Sequence, residues 1–247
     1  MLTDRSPVEY RYLSRRLLRE IVQSDWAMRR GGARSASFRV SVGGLSAEVS
    51  KSAPDYENLY ELAELATVAV SDHSGPLGAE APYLCDELDV SIGFVPIFGG
   101  WQGTYGAKVA CIACDGAIES VGSVFVGLFG STSNLVGWHE PAEIGPGWWP
   151  SDGVGVFGVL AGTREEGDVT IAPRSLQHEA DLEPIWVLDL AQRISRGLRP
   201  VRKEKVRLLA KVHLRLEDVQ LNGTYYDVAL IGAPIWVRTP TPRPFAP

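Results

Sequence analysis

The 247-residue sequence predicts an α+β fold, a single domain with a largely antiparallel β-sheet or partly closed barrel and about three helices. Three observations lead there. From Lys205 to Val219 apolar and polar residues alternate almost without a break, the period of a half-buried strand. Asn222-Gly223 comes next and leads into a second β-rich run, Tyr225–Val237. That dipeptide between two strands is a strong hairpin signal, because both positions tolerate positive φ. Elsewhere three stretches carry apolar residues at helical spacing.

Taken in order, Tyr10-Arg11-Tyr12-Leu13 alternates between Pro7 and Ser14 and reads as a short strand. Ser14 is a helix-capping residue type, and Leu17, Leu18, Ile21 and Val22 form an apolar stripe behind it. RRGGARSAS, at 29–37, has loop composition; Phe38, Val40 and Val42 then alternate up to the Gly43-Gly44 break. The second helix is expected to enter through Ser52 and Asp55, a pair resembling a capping box, with Pro54 in its first turn. Leu59, Leu62, Ala63, Ala66 and Val70 share its buried face.

After a loop at Ser74–Pro82 the character turns β. Val90, Ile92 and Phe94 alternate, as do Val109, Cys111 and Ala113, with Asp115-Gly116 expected to turn the chain into a hairpin. VFVGLFG, at 124–130, is nearly all apolar and reads as a central strand; VGVFGVL, at 154–160, reads as another. Pro184 opens the third helix, whose apolar face is Ile185, Leu188, Ala191 and Ile194, and Gly197 stops it. On the long strand after it, Val206, Leu208, Ala210, Val212, Leu214 and Leu216 are expected on one face. No repeat or linker divides residues 1–239, read as one domain; the Pro-rich tail 240–247 docks weakly or stays disordered.

Composition narrows the function classes. The chain is 45% hydrophobic and 22% charged, as globular proteins are, and its net charge of −6 argues against general nucleic-acid binding. Only five of the 24 basic residues are Lys; the Arg, Gly and Ala usage fits a GC-rich genome rather than a set of phosphate ligands. No apolar run approaches the ~20 residues of a membrane span, and the first residues lack a signal-peptide core. Three cysteines are few for a disulfide scaffold, so a reducing cytoplasm is expected. The sequence leaves the oligomeric state open.

The nearest thing to a chemical motif is Cys111-x-x-Cys114. Redox pairs of this kind sit at helix N-termini, whereas this one lies in a β-like run, where positions three apart point to opposite faces. Cys85 and the histidines at 73, 139, 178 and 213 offer no second paired spacing, so buried thiols are the reading and no metal or cofactor is expected. Asp86, Glu87 and Asp89 read as a solvated acidic loop. His213, on the more polar face of its strand, is explained by solvation or a salt bridge.

The strongest candidate for ligand binding is Gly130-Ser131-Thr132-Ser133-Asn134, directly after the apolar strand. Consecutive backbone N–H groups flanked by small hydroxyl side chains can cradle an anion, although the Gly-Lys-Ser/Thr ending of a P-loop is absent. Trp101 and Tyr105 in GGWQGTYG, and Trp138, Trp148 and Trp149 further on, could stack on a base or sugar ring or simply pack the loops. Arg15 is a candidate anion partner. The function expected is a non-catalytic ligand-binding or sensor domain for a small polar, possibly nucleotide-like, ligand. A hydrolase or transferase assembled from distant residues such as Ser131, His139 and Asp152 is one alternative; a protein–protein interaction subunit carried by the aromatic loops is another.

Several segments together resemble a bacterial family of domains of unknown function: Tyr10-Arg11-Tyr12-Leu13-Ser14 at the start, Phe129–Gly137 in the middle, and Val206–Lys211 with Gly232–Val237 near the end. The chain has Trp236 where the resemblance suggests Tyr, and Asn134-Leu135-Val136 where it suggests a His before the apolar pair. The resemblance implies one domain and a cytoplasmic setting, and implies no reaction.

Overall fold

The computed structural model describes residues 9–29, 58–96, 108–137 and 184–240. In chain order these form β1 (Tyr10–Leu13), α1 (Arg15–Arg29), α2 (Leu59–Ala69), β2 (Ser74–Gly75), β3 (Tyr83–Pro96), β4 (Lys108–Ile118), β5 (Gly122–Ser131), α3 (Pro184–Arg196), β6 (Arg199–Leu221) and β7 (Thr224–Arg238). The α+β expectation holds: three helices accompany a seven-stranded, largely antiparallel sheet. The strands expected at 38–42 and 154–160 lie outside the described residues.

Five of the strands close on themselves. β7 pairs with β5, β5 with β4, β4 with β3, β3 with β6, and β6 returns to β7, so hydrogen bonds run around a complete ring. Only the β5–β7 contact in that ring is parallel. β1 continues along β7 at Trp236–Arg238, beyond the stretch that β5 occupies, and β2 joins β3 in parallel.

The core results from alternation around this ring. Ile92, Ile112, Leu128, Leu208 and Leu230, one from each ring strand, meet in a single buried cluster inside it. Tyr12 and Leu135 join this cluster at the end where β5 finishes, and Leu77 joins it at the other. Outside the ring, α3 lays Val187, Leu188 and Ala191 over Cys111, Phe129 and Ile231. On another face α1 and α2 bring Leu18, Leu62 and Ala66 onto Trp236. Each fully buried Leu or Ile contributes about 1.5–3 kcal/mol relative to exposure.

The Asn222-Gly223 turn forms as expected, with φ of 46° and 81° and Leu221 paired to Thr224. β6 departs from its expected single face. Val212 pairs with Gly232 but Leu214 pairs with Ile231, which leaves His213 as an extra residue. A bulge of this kind reverses the side-chain alternation beyond it. Val206, Leu208, Ala210 and Val212 therefore face the ring interior, while Leu214 and Leu216 pack in the α3 layer. His213 is half-buried in the bulge rather than on a plain solvent face.

Other local expectations are corrected. The chain does not turn at Asp115-Gly116, which pair with Phe125 and Val124 inside the β4–β5 ladder. The turn comes three residues later, where the Val121 N–H donates to the Ile118 carbonyl at 3.0 Å and Gly122 takes φ +101°. α2 begins at Leu59, capped by Asn58, whose Oδ1 accepts the Tyr60 N–H at 3.0 Å; Ser52, Pro54 and Asp55 lie outside the described residues. Asp86, Glu87 and Asp89 are not a loop but part of β3, opposite Leu208, Arg207 and Lys205. The α3 face buries Val187, Leu188, Ala191 and Ile194, and Ile185 points outward.

Candidate functional site

The Gly-Ser turn sits at the end of the ring that Tyr12 closes. Ser131 ends β5, and Thr132–Asn134 make one 3-10 turn before Leu135 bridges to Tyr12. Its shape is set from inside. Tyr12 is fully buried, and its hydroxyl accepts a hydrogen bond from Asn134 Nδ2 at 3.1 Å. Gly130 gives that ring its space, since a Cβ there would lie 2.1 Å from the hydroxyl oxygen. Burial pushes the Tyr12 phenol up to about 12, against the opposing pull of hydrogen bonding from Asn134 and the Ser131 backbone and of the Arg16 charge.

These contacts limit what the turn can offer a ligand. Ser131 Oγ accepts the Ser133 N–H at 3.4 Å and shares a 2.8 Å hydrogen bond with Ser133 Oγ. The Leu135 N–H donates to the Thr132 carbonyl at 3.0 Å. A hydroxyl carries one proton, so whichever serine donates within the pair, one hydroxyl proton remains for a ligand rather than two. Asn134 uses one of its two amide protons on Tyr12 and keeps the other.

Strand register determines what surrounds the turn. Val109 pairs with Ser131, and the neighbouring residue Lys108 pairs with Pro96. Lys108, which follows the segment 97–107 that carries Trp101 and Tyr105, is thus one residue from the partner of Ser131, while Pro96, which precedes that segment, lies across β4 on β3. Trp101 and Tyr105 themselves lie outside the described residues, as do Trp138, His139, Trp148, Trp149, Asp152 and His178. Arg15 opens α1 with its side chain exposed. Arg16, not Arg15, is the cation whose charge acts on the Tyr12 hydroxyl. Tyr12 and Arg16 were missed as site residues because a Tyr in a short apolar strand reads only as core; no local pattern links it to a turn more than a hundred residues away.

Elsewhere the side chains read as structural. Cys111 and Cys114 are free and lie on opposite faces of β4, Cys111 beneath α3 and Cys114 in the ring interior. Cys111 has no exposed surface and Cys114 keeps 7%. Burial, aided by Asp89 and Asp115, raises the Cys114 thiol to about 11, and burial alone raises Cys111 further, so neither is an activated nucleophile. Among the described residues no group of three or more His, Cys, Asp or Glu is placed to hold a metal ion.

An open groove of about 690 Å³ lies at the opposite end of the ring, between Glu80–Pro82 and the β6 bulge. Arg215 is its main cation. Its Nη1 donates to the carbonyls of Leu77 and Ala79 at 2.7 and 3.1 Å, while Nε and Nη2 reach Glu217 at 3.2 and 2.9 Å. With Asp86, which accepts the Leu77 N–H at 2.9 Å, this arginine fastens the turn that plugs the ring. A second polar cluster joins α3 to the Asn222 turn. The buried Tyr226 hydroxyl donates to Asp115 at 2.7 Å and accepts from Gln192, whose Oε1 accepts from Asn222 at 2.7 Å. No described helix is long and apolar enough to cross a membrane. No family model, no curated protein and no solved structure matches this chain.

Proposed function

We propose that the chain is a non-catalytic binding or sensor domain that holds a small polar ligand at the Gly130–Asn134 turn, with nucleotide-like molecules the first class to test. The observation that carries this reading is the register that pairs Val109 with Ser131 and Lys108 with Pro96. It sets Lys108, the residue that follows the segment bearing Trp101 and Tyr105, next to the partner of Ser131, and the Ser131–Ser133 pair and Asn134 together offer that side one hydroxyl and one amide proton. An aromatic face for stacking and a few convergent donors are the usual ingredients of such a site. Among the described residues the Ser131 hydroxyl is bonded to Ser133 and to no base, while His139 and Asp152, named for the catalytic alternative, lie outside them. A bacterial cytoplasm is the setting that accompanies this reading, in keeping with three free thiols.

Thermal unfolding of the full chain against nucleotides, sugars and small anions tests it. A true ligand at a hundred times its Kd stabilises the chain by about 2.7 kcal/mol. That shift should shrink in Ser133→Ala and in Trp101→Ala, with the melting of the ligand-free chain little changed for Ser133→Ala. Absence of a shift with every class, or a shift indifferent to both substitutions, refutes the reading.

A further inference from the structure

Between Ser120 and Gly137 the chain has no charged side chain, so what the Gly-Ser turn itself presents is polar and neutral. Its two remaining protons, one from the Ser131–Ser133 pair and one from Asn134, both call for an acceptor. Among the described residues, charge reaches the turn from the elements packed beside it. β1 is one of these, since Leu135 bridges to Tyr12 and the Val136 N–H donates to the Arg11 carbonyl at 2.9 Å. The acids on that side are occupied: Glu9 and Glu204 both pair with Arg11, at 2.7 and 3.0 Å.

The buried Tyr12 oxygen reports the field at this end of the ring. Asn134, the Ser131 backbone, the Arg16 charge and Ser14 each favour its ionised form, and burial opposes them. Arg16 follows Tyr12 by four residues, in the first turn of α1, with half of its side chain exposed and its Nη1 3.8 Å from Glu20. A guanidinium carries five N–H donors, so it can serve Glu20 and an anion together. The other end of the ring has the opposite character. There Glu80 and Glu217 line the groove, Asp227 accepts the Ser123 N–H at 2.6 Å, and Arg215 is tied to two carbonyls and to Glu217.

We propose that the ligand of the Gly-Ser turn is anionic and presents a phosphate group to the Ser131–Ser133 hydroxyl pair, to the second Asn134 amide proton and to Arg16, with Arg16 selecting for charge. This inference rests on the binding role proposed for the turn and adds the chemical class of what it binds. A phosphate monoester offers three terminal oxygens, one for each of these donor groups, whereas a carboxylate offers two. Hydrogen bonds to an ionised acceptor are about twice as strong as neutral ones, so a neutral molecule of the same shape loses most at this site. Of the two ends of the ring, this one has no unpaired carboxylate among the described residues to repel the anion.

The test titrates inorganic phosphate, adenosine and adenosine monophosphate separately into the isotope-labelled full chain at neutral pH and constant ionic strength. The amide signals of residues 131–134 and of the Asn134 side chain are followed by NMR. Saturable movement of these signals is expected with both phosphate-bearing probes, and adenosine should bind at least about tenfold more weakly than its monophosphate. Arg16→Gln should weaken both phosphate probes by about tenfold, and Arg16→Lys should restore part of that. An unchanged urea midpoint in these variants confirms that the fold persists. Tighter binding of the monophosphate than of free phosphate assigns an organic phosphate; the reverse assigns phosphate itself. Adenosine binding at the turn as tightly as its monophosphate keeps the binding role and overturns the anionic class. Phosphate binding there that ignores Arg16→Gln overturns it too. So does the absence of movement at the turn with either phosphate probe, and the binding role falls with it only if the broader thermal screen is also silent.

Discussion

Gly130→Ala puts a methyl group where the Tyr12 hydroxyl sits. A Cβ there would lie 2.1 Å from the hydroxyl oxygen, 2.9 Å from Cζ and 3.4 Å from Cγ of Pro234. Favourable heavy-atom contacts need about 3.5–4.0 Å, so something must move. Tyr12 has nowhere to go, being fully buried at the end of the ring, and β5 is held between β4 and β7. Overpacking of this kind costs about 1–3 kcal/mol, and displacing the ring also breaks its hydrogen bond with Asn134, worth about 0.5–1.5 kcal/mol. The expected loss is about 2–4 kcal/mol, or roughly 4–16 °C in melting temperature for a chain of this size. The decisive partner is Tyr12→Phe, which removes the closest atom and alone costs about 1 kcal/mol. The double variant should be at least about 1 kcal/mol more stable than the two single losses added together, since contacting residues couple by about 0.5–3 kcal/mol. Urea unfolding of the four proteins, monitored by tryptophan fluorescence, reads the cycle. Additive losses, or a Gly130→Ala penalty below about 0.5 kcal/mol, would refute the steric account.

Other sites give further expected outcomes. Gly122→Ala meets both a φ of +101° and Asp227 Oδ2 at 2.2 Å, so it should cost about 2–4 kcal/mol in urea unfolding. Adding Asp227→Ala should recover only part of that, because the backbone strain persists; complete recovery would sink the conformational half of the claim. Arg215→Ala releases the Leu77 and Ala79 carbonyls, so amide exchange over residues 76–82 should accelerate, with about 1–3 kcal/mol lost overall. Unchanged exchange there would show that the plug is held by Leu77 alone. Burial first, with an Asp115 hydrogen bond added at Tyr226, holds the Tyr12 and Tyr226 phenols at about 12 in the fold, against an ordinary value of 10.0. Between these values the unfolded chain binds fewer protons than the folded one, so this contribution is complete below pH 10 and is lost as pH rises towards 12. Tyrosinate absorbance should show both rings ionising only with unfolding, and Tyr12→Phe should flatten the alkaline loss of stability; early ionisation of all tyrosines contradicts it.

Local signals carried the reading wherever the determining interaction was itself local. Asn222-Gly223 needs two positive φ angles and has the residues that adopt them, so the hairpin was legible from two letters. The opposite placement of Cys111 and Cys114 came from the two-residue period of a strand alone. The same reasoning failed on β6, because a bulge depends on the partner strand. Nothing near His213 marks it as extra until Gly232 and Ile231 are seen opposite. Asp115-Gly116 failed for a related reason. A turn propensity was overridden by the ladder with β5, and the Asp115 side chain has a tertiary partner in the Tyr226 hydroxyl. In the candidate site the Gly-Ser turn was visible, but its anchor was not, since Tyr12 reaches Asn134 across 122 residues of sequence.

That anchor changes how substitutions in the turn must be interpreted. Asn134 holds Tyr12 with one amide proton and has another to offer, so Asn134→Ala would remove the proposed ligand donor and loosen the turn at once. A loss of affinity in that variant cannot be assigned to the ligand contact. Ser133 is different: it is exposed, and among the described residues its hydroxyl bonds to Ser131 within the same turn. Ser133→Ala therefore leaves the Tyr12 anchor intact and isolates the hydroxyl. The buried Tyr12 hydroxyl holds Asn134, so the proposed binding would need little ordering of the turn itself. Ser133→Ala should therefore weaken the proposed binding while leaving the urea midpoint of the ligand-free chain within about 0.5 kcal/mol of the parent.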